Sequence, residues 1–189
     1  MRAVILGGTF NPVHFGHLFI AEEVRSAFGY DAVIFVPANQ PVHKDPSPIL
    51  PAVHRLEMLR RAVGGYTEFR VVESEIKRGG PSYSIDTVEE LMERLSLTEK
   101  PGFLIGDDLV EGFPLWKDAQ RLSLMVDLFV ARRTMAGALP LEYPHRVVSN
   151  TILPISSSEI RRRISEGHSV RFLLPDGVLD YIKANKLYG

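Results

Sequence analysis

The sequence predicts an α/β fold of Rossmann-like, doubly wound order: a mainly parallel sheet covered by helices, with a small C-terminal helical portion. Three observations carry this. Short apolar, β-branched runs alternate along the chain with longer amphipathic stretches. These runs are four or five residues long, the length of buried strands rather than of helices. The first of them ends in a glycine pair and feeds directly into a helical pattern, so the chain opens as a strand, a glycine-rich turn and a helix.

Length and composition narrow the class. At 189 residues the chain suits one domain spanning 1–189, with a sheet core over 1–150 and a helical portion over 151–189. Hydrophobic content of 45% and charged content of 24% are those of a globular protein. With 22 basic against 23 acidic residues, the net charge of −1 provides no field for nucleic acid or an anionic membrane, so an anion must be met by a local positive cluster. Cysteine is absent, which excludes disulfides and thiolate metal sites and fits a cytoplasmic location. The N-terminus enters its strand at once without the form of a signal peptide, and no apolar run nears the ~20 residues that span a bilayer. A homo-oligomer is compatible with all of this.

In order, Ala3–Leu6 is the first strand, Gly7–His17 the turn, and the apolar spacing through Val24 and Phe28 a helix ending at a Gly29 C-cap. A strand at 32–36 follows, then a segment with five prolines between 37 and 51, which precludes a regular element and offers His43 and Lys44 as donors or as solvated charges. Pro51–Val63 reads as a helix with Val53, Leu56, Leu59 or Arg60, and Val63 inward. After a strand at 69–72, Ser84 is placed to cap a helix whose first turn holds Asp86, leaving Tyr83 and Thr87 near the upper edge of the sheet. Phe103–Gly106 is the fourth strand, and the Asp107-Asp108 pair after it can cap a turn or accept from a ribose. Trp116 is either core or a stacking platform. Asp127–Ala131 is the fifth strand, 134–149 reads as irregular, and Thr151–Leu153 as a last short strand. Ser156 and Glu159 have capping-box spacing at the start of a helix carrying Arg161, with Arg162 and Arg163 on a solvated face; a helix over 175–186 closes the chain with Val178, Ile182 and Leu187 inward.

The chemistry concentrates in Gly7-Gly8-Thr9-Phe10-Asn11-Pro12-Val13-His14-Phe15-Gly16-His17. A glycine-rich turn lets backbone approach a ligand, and the helix after it aims N–H groups and a positive dipole end at the same place. Two histidines there can donate to phosphate oxygens and meet growing negative charge. The i, i+4 spacing of a zinc helix is absent, as are Gly-x-Gly-x-x-Gly and the P-loop pattern.

This turn resembles the signature of the His-x-Gly-His nucleotidyltransferases, and among them the nicotinate-nucleotide adenylyltransferases. The resemblance extends through Pro-Val-His-Lys (41–44), Ser-Tyr-Ser-x-Asp-Thr (82–87), Gly-x-Asp (106–108), Trp-Lys (116–117) and Ser-Ser-Ser-x-Ile-Arg (156–161). It implies adenylyl transfer from ATP to nicotinate mononucleotide, giving nicotinate adenine dinucleotide and pyrophosphate in NAD biosynthesis, with Mg²⁺ carried by ATP and no resident metal. It implies His14, His17, Lys44 and Arg161 at the reacting phosphates. Gly8, Thr9, Phe10, Gly106, Asp108, Ser156 and Ser157 would hold ATP, and Tyr83, Thr87, Trp116 and Lys117 the mononucleotide. Ser158 stands where the family has Thr, and Asp107 adds a charge. Acceptance of nicotinamide mononucleotide or pantetheine phosphate stays open at this level. Two readings from other classes compete: a redox enzyme binding a finished dinucleotide, and a non-catalytic nucleotide sensor.

Overall fold

The structure, a computed structural model, describes residues 1–42, 49–97, 99–133 and 140–189. His43 and Lys44 lie outside the described residues. The first apolar run forms β1 (Ala3–Gly8), followed by α1 (Phe15–Phe28), β2 (Ala32–Pro37), a two-residue β3 (Gln40–Pro41) and α2 (Ala52–Val63). Then come β4 (Phe69–Val71), α3 (Ser74–Arg78), β5 (Pro81–Ser82), α4 (Ser84–Arg94) and β6 (Gly102–Gly106). The chain ends with α5 (Ala119–Met125), β7 (Asp127–Ala131), β8 (Arg146–Val148), α6 (Ser157–Ser165) and α7 (Asp176–Ala184).

The main sheet runs β4-β2-β1-β6-β7-β8 with every pair parallel, as predicted for a doubly wound fold. The chain builds outward from β1 to β2 and β4, then crosses back and builds β6, β7 and β8 on the other side. That reversal between β1 and β6 opens a crevice at their carboxyl ends, the place where such sheets bind ligands. Gly7 and Gly8 end one of the two strands and Gly106 ends the other.

Strand period two divides the core. Val4, Leu6, Val33, Phe35, Leu104 and Phe129 share one face with the buried sides of α1, α2 and α7. Ile5, Ile34, Val36, Phe103, Ile105, Leu128 and Val130 share the other with α4 and α5. The inner strands are buried on both faces, which is why they read as continuous apolar runs. α1 ends at Gly29 in the left-handed conformation (φ 67°), as its sequence predicts. Val178, Ile182 and Leu187 face inward as expected, and α7 packs on α2. No helix among the described residues is long and apolar enough to cross a membrane.

Four expectations are corrected. The sixth strand is β8 rather than Thr151–Leu153, and it falls within the stretch read as irregular. It pairs with β7 in the register Phe129↔Arg146 to Ala131↔Val148, but as an edge strand it buries only Val148, so its apolar signal is weak. Beyond it the Asn150 amide takes over the ladder, accepting from Arg132 N and donating to Arg132 O, both at 2.8 Å. In α2, Val53 is 65% exposed while Arg55 is 1% exposed, the reverse of what polarity suggests. α4 is capped by Tyr83, not Ser84: the Tyr83 carbonyl already accepts from Thr87 N, and Ser84 becomes the first helical residue. Part of the proline-rich segment is regular, since Gln40–Pro41 pairs with Pro81–Ser82 as a small parallel ribbon.

Candidate active site

The turn after β1 is held by its own side chains. Phe10 sits in the left-handed region (φ 49°), a conformation that costs a non-glycine residue energy, and its buried ring packs against Phe35 and edge-on to His17. His14, 2% exposed and extended, caps α1. Its backbone N–H donates to Nδ1 of His17 at 3.3 Å, and the two imidazoles lie 3.8 Å apart at 35°. A ring that accepts at Nδ1 carries its proton on Nε2 when neutral, so His17 is set as a donor. Gly16 is required between them, because a Cβ there would stand 3.0 Å from the His14 ring. The first turn of α1 contains no acidic residue, leaving its positive end to a ligand.

The start of α6 is sewn to this turn. Ser156 caps the helix, its Oγ accepting from Glu159 N at 3.2 Å. The Ser157 hydroxyl donates to Pro12 O at 2.8 Å. Arg161 donates from Nη1 to Asn11 O at 2.9 Å and from Nη2 to the Ser158 hydroxyl at 3.2 Å. Tyr188 adds a donor to Asn11 Oδ1 at 2.8 Å; its phenol is pushed above its ordinary range by burial, so it stays protonated. Thus each of the three serines has a hydrogen-bond partner. Thr9, Phe10, His17, Asp108, Ser156 and Arg161 wall one cavity with Arg133.

Asp108 and Arg133 close the β6 side. Arg133 Nη1 donates to the Asp108 carboxylate at 3.0 Å, and the Arg133 backbone N–H donates to Asp107 Oδ1 at 3.1 Å. The extra acid at 107 therefore anchors the chain leaving β7. Gly106 permits this packing: a Cβ there would stand 2.2 Å from Asp108 Oδ1 and 2.6 Å from Arg133 Cδ.

A larger cleft, about 1120 Å³ including its open mouth, continues from the turn past Gly7 and Gly8 to Ser82, Ser84, Glu75 and Trp116. Trp116 is both core and wall: 9% exposed, it is held by Phe113 (5.0 Å) and edge-on by Phe103 (6.4 Å) while lining the cleft.

The remaining mononucleotide residues are placed differently from expectation. Thr87 is 2% exposed and does not line the cleft; its hydroxyl donates to Glu75 Oε1 at 2.7 Å and accepts from Arg78 at 3.0 Å. Lys117 turns away to Asp86 (2.8 Å) and the Tyr83 ring (4.9 Å), and the Asp86 partner raises its pKa. Both follow from α4 starting at Ser84, which turns residue 87 inward and residue 86 toward Lys117. Sequence reasoning missed Ser84, Glu75 and Arg133 as site residues. Ser84 lay within a quoted motif; the other two come from segments whose approach only the topology sets. Among the described residues, no group of three or more His, Asp or Glu could hold a metal ion.

The cytidylyltransferase-like family model matches residues 5–163. A probable nicotinate-nucleotide adenylyltransferase of Borreliella afzelii is 42% identical over 188 residues, covering 100% of this chain and 97% of that protein. One from Dehalococcoides mccartyi is 38% identical over 200 residues, with coverage of 100% and 97%. Among solved structures, a Plasmodium falciparum nicotinic acid mononucleotide adenylyltransferase complexed with NaAD superposes with a TM-score of 0.77 at 17% identity, covering 100% and 98% of the two chains. At that identity it shows the shared fold. By sequence over its whole length, the chain belongs to the cytidylyltransferase-like family and, within it, to the nicotinate-nucleotide adenylyltransferases.

Proposed function

We propose that the cleft positions ATP and nicotinate mononucleotide on either side of the β1–β6 reversal for adenylyl transfer. The observation that carries this is a pair of adjoining cavities that share Thr9, His17 and Arg133: the starts of α1 and α6 meet at one, and a locked indole with hydroxyls lines the other. In the reaction, an oxygen of the mononucleotide's 5′-phosphate attacks the α-phosphorus of ATP. The bond from that phosphorus to the β-phosphate oxygen breaks, and the electron pair leaves with pyrophosphate. A phosphate monoester with a second pKa near ~6 is already ionised at neutral pH, so no general base is needed. Catalysis is positioning and charge stabilisation.

His17, donating from Nε2, meets the charge growing on the departing phosphate, and His14 fixes its tautomer and the start of α1. Arg161 and Lys44, with the Ser156–Ser157 helix start, take the β- and γ-phosphates; Arg133 joins them. Gly8, Thr9 and Phe10 form the floor under the phosphates. Gly106 and Asp108 take the adenosine ribose, since a carboxylate has about four acceptor positions and can serve both Arg133 and the hydroxyls. Trp116 stacks on the pyridine, with Ser84 and backbone N–H groups near Trp116 and Lys117 for its carboxylate. Thr87, Tyr83 and Lys117 act one step removed, by holding Glu75 and the start of α4. Mg²⁺ bound to the triphosphate would be held chiefly by the substrate's own phosphates and would neutralise the leaving pyrophosphate. A cytoplasmic setting suits both soluble substrates.

Glu75 favours a second reading. A carboxylate in the acceptor half of the cleft could accept from an amide, as nicotinamide mononucleotide would offer. We place Glu75 instead toward the cationic pyridinium, with one oxygen committed to Thr87. The assignment of the bond broken is tested with ATP labelled at its α-phosphorus. The label is expected in the dinucleotide; label released as AMP would mean attack at the β-phosphorus, with the pyrophosphoryl group transferred, and would overturn it.

A further inference from the structure

Arg55 has no part in the chemistry above, yet among the described residues it is the largest fully buried side chain, at 1% exposure. Burial lowers its pKa from the ordinary arginine value, and no carboxylate among the described residues lies within ion-pair distance of it. A buried cation in this position is costly unless its donors are used. Each of its three nitrogens donates to a main-chain carbonyl of a separate segment: Nε to Leu50 O (2.9 Å), Nη1 to Thr9 O (2.9 Å) and Nη2 to Asn39 O (3.3 Å). Only a planar fork of donors can satisfy three acceptors so arranged; a lysine ammonium cannot.

The segments differ in what they carry. Thr9 belongs to the phosphate turn and lines both cavities. Asn39 is bound to the acceptor wall: its backbone N–H donates to Ser82 Oγ at 2.8 Å and its Nδ2 to Gly80 O at 2.9 Å. The β3–β5 ribbon continues that contact to Ser82, two residues before Ser84. A continuous path of hydrogen bonds therefore runs from Thr9 through Arg55 and Asn39 to Ser82.

We propose that Arg55 is a positioning residue that couples the two halves of the cleft, so that occupancy of one pre-organises the other. This rests on the reading that ATP lies against Thr9 and the mononucleotide against Ser82 and Ser84. The coupling is reciprocal: whichever substrate binds first orders the path, and the second finds it ordered.

The test is calorimetric. The Kd of α,β-methylene-ATP, which cannot release pyrophosphate, is measured alone and with saturating nicotinate mononucleotide, in wild type, Arg55→Lys and Ser82→Ala. Wild type is expected to tighten by about fivefold or more, the scale of coupled sites. Both variants, checked for folding by Tm, are expected to tighten less than about twofold. A merely structural Arg55 would lower Tm and leave the tightening unchanged. Ser82→Ala removes the Oγ that accepts from the Asn39 backbone N–H and leaves Arg55 with its three carbonyl partners, so it decides the question if Arg55→Lys does not fold. Full tightening in either folded variant, or none in a wild type that turns over, overturns the coupling. A wild type that forms no dinucleotide from these substrates defeats the substrate assignment instead.

Discussion

Gly106→Ala separates the role of Asp108 from the stability of the fold. The Gly106 backbone has φ −80°, which alanine adopts without strain. The new Cβ would stand 2.2 Å from Asp108 Oδ1 and 2.6 Å from Arg133 Cδ, so both side chains must leave their places. Each is the outer part of a partly exposed side chain and can swing into solvent, so the fold loses little. Their ion pair, with both partners about a third or more exposed, contributes little to stability on its own. What is lost is the carboxylate proposed to receive the ribose hydroxyls. A hydrogen bond to a charged group is worth about 1.5–3 kcal/mol, so kcat/KM for ATP should fall by about 10- to 150-fold at 1.4 kcal/mol per decade. The assay is pyrophosphate release over an ATP series at saturating mononucleotide, with Tm on the same samples. Asp108→Asn should give a loss of the same order. If Gly106→Ala folds and keeps kcat/KM for ATP within about threefold, Asp108 does not hold the ribose.

Other outcomes follow from the same geometry. His17→Ala should keep the fold and lower turnover by more than ~100-fold, the scale of losing one oriented donor to developing charge; steady-state turnover within about threefold of wild type would remove His17 from catalysis. Arg161→Ala should raise KM for ATP more than for the mononucleotide, by the equivalent of about 1.5–3 kcal/mol; a rise confined to the mononucleotide reverses the assignment. Glu159 is held at a pKa of about 2 by hydrogen bonds first from Arg162 and then from Arg163. A carboxyl depressed on folding adds stability above its unfolded value near 4.5, and that contribution is lost as pH falls through about 2. An NMR titration should therefore place the Glu159 midpoint near 2, and a midpoint near 4.5 would show the helix network absent in solution.

How much of this was legible in the chain depends on how local each feature is. The turn at 7–17 could be read because its glycines, its histidines and the helix start are contiguous, and so could the apolar inner strands. Arg55 could not: an arginine in an amphipathic helix reads as solvent-facing, and only the convergence of Thr9, Asn39 and Leu50 gives its donors a reason to be inside. Glu75 sits in a five-residue helix with no periodicity to speak of, and Arg133 leaves a strand like any surface residue. Thr87 was assigned to the pyridine from a motif that also contains Ser84, and a one-residue shift in the start of α4 decides which of the two faces the cleft. The edge strand β8 escaped because only one of its three residues is buried.

The central claim is that the acceptor half of the cleft reads a nicotinate carboxylate. Nicotinate and nicotinamide mononucleotides share a ring, a ribose and a phosphate, and differ by a carboxylate against an amide. A backbone N–H of the loop at Lys117 can only donate, which a carboxylate satisfies and an amide NH₂ does not, whereas the Ser84 hydroxyl can serve either; among the described residues lining the cleft, Glu75 is the carboxylate that would favour the amide. An unpaired buried donor costs ~1–3 kcal/mol, and two mismatches give a preference of roughly 100-fold or more. The decisive measurement is kcat/KM for pyrophosphate release from ATP with the two mononucleotides side by side. A preference for nicotinate mononucleotide of at least ~100-fold is the expected result. Equal values would mean that the pocket reads only the ring, and a preference for the amide would mean that Glu75 sets the choice.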